Sequence, residues 1–482
     1  MKTLSLPYFQ YFRYLLALIW CCVVGVETSA QVFQNTLTLP STDEYCAGLA
    51  SDATSGFYIS VGNTNSGGTN RVLLTKYNSA TGNVMWTRTV NQPGAATTWY
   101  ATDIQSTHAS PVTQPANGAT AVTSPANAAV IAVPNNNSAY YISGYTFTTT
   151  CAGVTVRRMV LYKVDNNGNV LWTRSNFVGG CTYDEIGVSV ETAPNGDVFI
   201  VGNARNVSNN RSHVSVARLR SNGNLIWQNR YLTSNTASFT YVPRQSITTN
   251  EAVVTTTGVS GDATGIAVTG EFRNTTVATS VLRGFVMRIA SNGAEMWRVG
   301  HFLSGSTVSS GQDVIIDPVS RNFTVVGHVG TSTSFRTLFW QVTSLGGHVL
   351  SQIYNQPQQA VHYAQSIVPS RTVGNFAVAG AVTIPTASGG VGTDTYLTEL
   401  NATGTPLWFR YYTRTTPRYA ATESVVASPT GYYITTNAAS TNTNTDGHVI
   451  STDALGMLPG ATPDNCVERT NELVKQVTGD TQ

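Results

Sequence analysis

The sequence predicts an all-β fold in which seven four-stranded sheets close into a ring. Three observations predict it: a turn phrase that returns seven times, an alternating apolar strand ending in Gly ahead of nearly every return, and a composition poor in charge and rich in turn formers. Charged residues are 11% of the 482 and glycines number 42. That balance suits short strands joined by many turns better than amphipathic helices.

The chain opens on an export signal, residues 1–30. Lys2 and Arg13 make a basic region, "YLLALIWCCVVGV" (14–26) an apolar core, and Thr28 and Ala30 supply small residues ahead of the cleavage point. The core is shorter than the roughly 20 residues that span a bilayer, and no later stretch reaches that length, so no membrane span is expected. Cleavage removes Lys2, Arg13 and Glu27 from 27 basic and 25 acidic residues, leaving 25 and 24. A mature chain so close to neutral has nothing to draw in nucleic acid or an anionic membrane. The expected location is secreted or cell-surface.

The blades occupy residues 31–460. "KVDNNGNVLWTR" (163–174) states the repeat: a strand end, a turn closing on Gly, and Trp four residues after that Gly. Gly82–Trp86, Gly168–Trp172, Gly223–Trp227, Gly293–Trp297 and Gly404–Trp408 obey it, while Gly346 meets Leu350 and Gly456 meets Gly460. Upstream of six of these lie apolar strands ending at Gly62, Gly144, Gly202, Gly270, Gly327 and Gly380; in the seventh unit Thr436 takes that place. Each unit reads as strands a to d, with the phrase as the c–d hairpin. Asn-Gly suits a tight primed turn between strands of matching twist, and the Trp of strand d buries a large face against the next sheet. One such sheet cannot bury both faces; seven in a ring cover one another.

The seventh unit has no Trp strand of its own. "VFQNTLTLP" (32–40) precedes any strand a and is expected to complete blade seven by pairing near His448–Thr452, which ties the chain ends together. Residues 461–482 form a tail in which "VERTNELVKQVTGDTQ" suits a short helix. The phrase K-x-D-x-x-G-N-x-x-W, with its V-x-G strand ends, resembles the seven-bladed β-propeller repeats of exported bacterial proteins, and "NSATGNVMW" (78–86) is similar to the repeat of quinoprotein-type propellers. The resemblance implies a fold over about residues 32–460 and no particular activity.

Loop lengths differ between the two rims. The a–b and c–d turns read as tight, whereas "YTFTTTCAGVT", "NARNVSNNRSH", "EFRNTTVATSVLR" and "AVTIPTASGGVGTD" read as long b–c loops beside long d–a connections. A rim of variable loops on a rigid scaffold is where function is expected. Residues 104–128 and 246–262 read as insertions in blades two and four, with their rim left open. Four cysteines survive cleavage, and an exported chain uses an even number as disulfides. Cys151 and Cys181 fall on one rim and are paired; Cys46 and Cys466 are then expected to clasp the ends of the ring.

Aligned at the start of strand a, Glu44, Asp103, Glu185, Gln245, Asp313, Gln365 and Glu423 fall at matching places, so that five carboxylates ring the channel mouth. Tyr100, Tyr183, Tyr241, Tyr363 and Tyr419 stand shortly before five of the seven. A position repeated in each blade is more often a device for building blades than a site. The functional reading is a rim of stacking rings and acceptors for a glycan or an extracellular protein, and a cation held by converging oxygens is a further option. HExxH, GxSxG and phosphate-loop patterns are absent from the sequence. The histidines are scattered, and no cofactor or metal site is expected. The leading expectation is a secreted, non-catalytic binding or scaffold protein. The alternative is an extracellular carbohydrate-active enzyme using carboxylates at the channel mouth.

Overall fold

Seven antiparallel sheets follow one another along the chain in the computed structural model. The described residues lie between 34 and 477; residues 1–33, 107–138, 251–263, 478–482 and shorter stretches between strands fall outside them. The expected signal segment is therefore outside the described residues. Val32–Gln482 form one compact unit.

Blade one comprises Asp43–Asp52, Phe57–Ser66, Thr69–Asn78 and Val84–Thr89; blade two, Trp99–Ser106, Ala139–Thr149, Thr155–Asp165 and Val170–Ser175; blade three, Tyr183–Thr192, Val198–Asn206, Ser212–Leu219 and Leu225–Tyr231. Blade four comprises Phe239–Asn250, Thr264–Asn274, Arg283–Ala290 and Glu295–His301; blade five, Val308–Ile316, Phe323–Thr331, Ser334–Val342 and His348–Asn355; blade six, His362–Pro369, Phe376–Pro385, Val391–Leu400 and Pro406–Arg414. Blade seven takes Ala420–Ala427, Gly431–Ala439 and Thr445–Asp453, and its outer strand is Gln34–Leu37 from the other end of the chain. Thr36 lies opposite His448 and Gln34 opposite Ile450, which is the expected closure. Each strand a touches the strand a of the blades before and after it, and the cycle returns from blade seven to blade one. The fold is a seven-bladed β-propeller.

The recurring phrase differs in detail from a two-residue primed hairpin. The Asp165 carbonyl accepts from Gly168 N–H at 3.0 Å, and the amide of Asp165 donates to Asn169 O at 2.9 Å. Asp165 Oδ1 also accepts from the amides of Asn167 and Asn169, each at 2.8 Å. Asn401 and Asp453 cap their turns in the same way. The Gly closes the turn with positive φ, 79° at Gly168 and 84° at Gly223, where a Cβ would be strained. The next strand then carries one extra residue, so Leu171, Ile226 and Met296 skip the register and stand exposed beside each Trp.

That geometry couples neighbouring blades. A Cβ built on Gly168 would lie 3.0 Å from the Trp86 ring of blade one, and one on Gly223 3.1 Å from the Trp172 ring of blade two. The indole N–H of Trp227 donates to Ser291 O at 2.6 Å, and that of Trp297 to Ser344 O at 2.8 Å. Every turn with a Trp behind it thus roofs the tryptophan of the preceding blade. Blade five lacks the Trp, and there Tyr354 donates to Gly404 O at 2.5 Å instead. Between sheets the core mixes aliphatic and aromatic side chains: Ile59, Val61 and Leu74 of blade one pack with Ile104, Tyr140, Ile142 and Tyr162 of blade two.

A bulge in strand a explains the V-x-G anchors. In all seven blades strand a inserts one extra residue: Ala47, Thr102, Val188, Arg244, Gln312, Gln365 and Glu423 in turn. The anchor glycine faces the residue just before the bulge, and the bulge presses a strand-a carbonyl onto it. A Cβ on Gly62 would lie 1.7 Å from Tyr45 O, and one on Gly144 1.9 Å from Tyr100 O. In blade seven Thr436 tolerates the same place.

Three expectations are corrected here. The tail is not helical where described: Cys466–Thr470 adds a fifth strand to blade six and Val474–Val477 a fifth strand to blade five. Cys466 therefore lies opposite Arg414, at the outer edge of blade six, while Cys46 is a free thiol buried with Tyr58, Tyr77 and Tyr433 between blades one and seven. The Cys46–Cys466 clasp does not form. Cys151 and Cys181 lie outside the described residues. The b–c loops are also shorter than expected, because strands run on into them: in blade three only 207–211 separate strands b and c. The insertions separate strands a and b, between Ser106 and Ala139 and between Asn250 and Thr264, so they leave from the rim opposite the b–c loops.

Candidate binding rim

The bulge register dissolves the ring of matching carboxylates. Asp103 and Asp313 follow the bulge by one residue, Glu423 is itself the bulged residue, and Glu44 and Glu185 precede it by three. The five acids occupy three different positions along the strand and do different things.

Asp103 and Asp313 are staples between blades. Asp103 Oδ1 accepts from Ile104 N at 2.8 Å, and its Oδ2 accepts from Ser189 Oγ and Val190 N of blade three, both at 3.1 Å. Asp313 repeats this with Val314 N at 2.7 Å, then Ser366 Oγ at 3.0 Å and Ile367 N at 2.8 Å of blade six. Burial pushes Asp103 up to about 7 and Asp313 up to about 6, against these bonds, which favour the charged form. Glu423, pushed up to about 7 by burial, accepts from Asn437 Nδ2 at 3.0 Å. Glu185 is fully buried. The side chain of Glu44 lies outside the described set. Among the described residues no group of three His, Cys, Asp or Glu converges as a metal site.

The tyrosines behave differently from one another. Tyr100 stacks on Tyr145 of its own blade with centroids 4.7 Å apart, and Phe147 meets both rings edge-on. Asn70 of blade one donates to the Tyr100 hydroxyl at 2.7 Å. Tyr183 lies under the Arg230 guanidinium, 4.1 Å from its ring centre, with His213 edge-on at 6.2 Å. Tyr363 meets His328 edge-on at 6.1 Å. These rings are half-buried rather than sealed between blades. The side chain of Tyr241 and all of Tyr419 fall outside the described residues.

Sequence reasoning missed the acid that organises this rim. Asp184, the neighbour of Glu185, takes Arg157 of blade two through its backbone N–H at 2.8 Å, Nε at 3.0 Å and Nη2 at 2.5 Å. Arg205 of blade three adds a bond at 3.1 Å. Burial opposes the Asp184 charge, but the two guanidinium groups outweigh it and hold the carboxyl below its ordinary range. Arg157 also leans over the Tyr145 ring at 5.9 Å. Blades one to three thus share one continuous stretch of rim: Asn70, the Tyr100–Tyr145–Phe147 cluster, the Arg157–Asp184–Arg205 clasp, and Tyr183 beneath Arg230. Ring faces beside donors fixed by ion pairing can pack on apolar ligand faces and bond hydroxyl or anionic groups.

No protein-family model and no curated protein matches the chain. Solved structures do match. A Trypanosoma rangeli sialidase in complex with sialic acid aligns over 88% of this chain at 9% identity and a TM-score of 0.39, and this chain spans 59% of that one. An exo-inulinase from Aspergillus awamori aligns over 94% of this chain and 96% of its own at 8% identity and a TM-score of 0.29. A eukaryotic initiation factor aligns over 77% and 78% at 8% identity and a TM-score of 0.29. These likenesses concern the fold alone. Among the described residues no helix is long and apolar enough to cross a membrane.

Proposed function

We propose that the chain is an exported, non-catalytic binding protein that engages a glycan on the b–c rim of blades one to three. One observation carries the reading: the Tyr100–Tyr145–Phe147 cluster stands half-exposed beside the Arg157–Asp184–Arg205 clasp, on paired strand ends of a rigid ring. Strand ends held in a ladder lose little entropy when they bind.

The enzymatic alternative asks for two carboxylates in unequal environments across a cleft. Asp103 and Asp313 share one environment, spend both oxygens on neighbouring amides and hydroxyls, and serve as structural staples. No observation favours that alternative over binding.

A glycan and cell-surface binding screen, with a turnover assay on every hit, tests the reading. Binding without turnover, weakened in Tyr145→Ala and intact in a variant of the opposite rim such as Leu171→Ala, is the expected result. Turnover of a bound glycan, lost in a carboxylate variant, would replace it with the enzymatic reading.

A further inference from the structure

We propose that the blade-three end of this rim is an anion subsite, taking a carboxylate or sulfate group carried on a polysaccharide. The inference rests on the proposed glycan-binding function and narrows its ligand to an acidic sugar polymer.

The charge is unbalanced at this corner. Blade three brings Arg205, Arg211 and Arg230 to the rim, and its only carboxylates there are Asp184 and Glu185. Glu185 is fully buried, and Asp184, 5% exposed, is already shared by Arg157 and Arg205. Arg205 keeps 48% of its side-chain surface open and Arg230 is exposed. Both retain donors pointing to solvent beyond the contacts described.

The backbone of Arg211 and the side chain of Arg230 are held in place. Arg211 closes a wound b–c loop: Asn206 N donates to Arg211 O at 2.8 Å, Arg211 N donates to Asn209 Oδ1 at 3.1 Å, and Asn206 Oδ1 accepts from Ser208 N at 2.9 Å and Ser208 Oγ at 2.6 Å. Arg230 is fixed by the Tyr183 ring beneath it. Donors fixed before binding lose less entropy when an anion arrives.

A second, independent observation marks the place. His213 is 6% exposed, and its Nδ1 has no hydrogen bond among the described residues. Such an orphan is costly in a native fold, and it sits beside Tyr183, in the field of Arg230 and Arg211. Burial, then these two charges, hold its pKa down at about 4, so the ring is neutral beside Arg230 and Arg211. An anionic oxygen at this corner would find charge-assisted donors in these guanidinium groups.

A sugar-borne anion fits better than a nucleic acid or an acidic peptide. Arg230 and Arg205 make a corner rather than a track, while a nucleic acid needs a basic stripe along many phosphates. The half-buried Tyr100–Tyr145–Phe147 cluster continues the surface one blade away, where the next sugars of a chain would lie.

The test is titration of the full mature chain with polygalacturonate, heparin and a neutral glucan, alongside DNA and poly-glutamate at matched charge, and with inorganic sulfate by thermal shift. Polygalacturonate or heparin should bind, weaken with added salt, and lose about tenfold in affinity in Arg230→Gln and in Arg205→Gln separately. Inorganic sulfate should raise the melting temperature of wild type and not of the Arg205→Gln/Arg230→Gln double variant. Equal affinity for the neutral glucan, unmoved by these variants, would overturn the anion subsite and leave the glycan reading standing. Preference for DNA or poly-glutamate would overturn both. Binding of sulfate without any glycan would keep the subsite and overturn its polysaccharide.

Discussion

Asn63 in blade one holds both backbone groups of Ala101 in blade two: Ala101 N–H donates to Asn63 Oδ1 at 2.7 Å, and Asn63 Nδ2 donates to Ala101 O at 3.1 Å. Asn437 of blade seven holds Cys46 of blade one in the same way, at 2.7 and 2.9 Å. Asn203 occupies the matching position in blade three, but the corresponding residue of blade four is Pro243, which has no N–H. The Oδ1 of Asn203 is accordingly buried without a hydrogen bond among the described residues. Asn63→Ala and Asn437→Ala should each destabilise by about 1–3 kcal/mol, as buried amides lose their acceptors. Asn203→Ala should cost distinctly less. Denaturant melts of the three variants check this, and equal losses would contradict the amide-clamp account.

Ring closure gives a second expectation. Gln34–Leu37 supplies the fourth strand of blade seven, whereas the tail strands only add fifth strands to blades five and six. Deleting residues 34–37 should lower stability by about 2–4 kcal/mol, from four residue pairs at about 0.5–1 kcal/mol each. Ending the chain at residue 460 should cost less, because no blade core loses its covering strand. Thermal melts of both truncations decide it.

The Cys46 thiol is buried and pushed up to about 12, first by burial and then by Glu423. It should resist iodoacetamide in the folded protein at pH 8 and react once the chain is unfolded. Mass mapping without reduction should find it unbridged; a Cys46–Cys466 peptide would contradict the structure.

How much of this was legible in the sequence depends on what marks each feature. The blades were legible because Gly and Trp stand at fixed spacing, and the physical cause is now visible: the turn glycine roofs the preceding Trp, and the anchor glycine accepts a carbonyl pressed in by the bulge. Strand closure was legible because an orphan strand and a missing one matched. The carboxylate ring was misread because strand a has no such marker. One bulged residue slides Glu44 and Glu185 out of step with Asp103, and no residue type announces it. Asp184 was overlooked beside Glu185, though Arg157 and Arg205 in nearby strands were the available signal. The tail looked helical because its composition permits it, while the open edges of blades five and six decide for strand.

The staple carboxylates predict an unusual pH dependence. Asp103 has a folded-state pKa of about 7, raised above the ordinary carboxylate value near 4. The folded protein therefore holds a proton there that the unfolded chain has lost. The contribution is fully present below about pH 4 and is lost as pH rises through about 7. Asp103→Asn should thus be most damaging at pH 4–5, and its penalty should shrink by a few kcal/mol toward pH 8. A penalty that grows with pH would mean that Asp103 is ionised in the folded state.

The proposed function has ligand meeting the b–c rim of blades one to three. Hydrogen exchange of residues 31–482, with and without the tightest-binding glycan from the screen, tests it most directly. The account predicts slowed exchange confined to the ends of strands around Tyr145–Phe147, Arg157–Arg158 and Arg205–His213, with the c–d turns at Gly168 and Gly223 unchanged. Protection at those turns, or spread evenly around all seven blades, would contradict it.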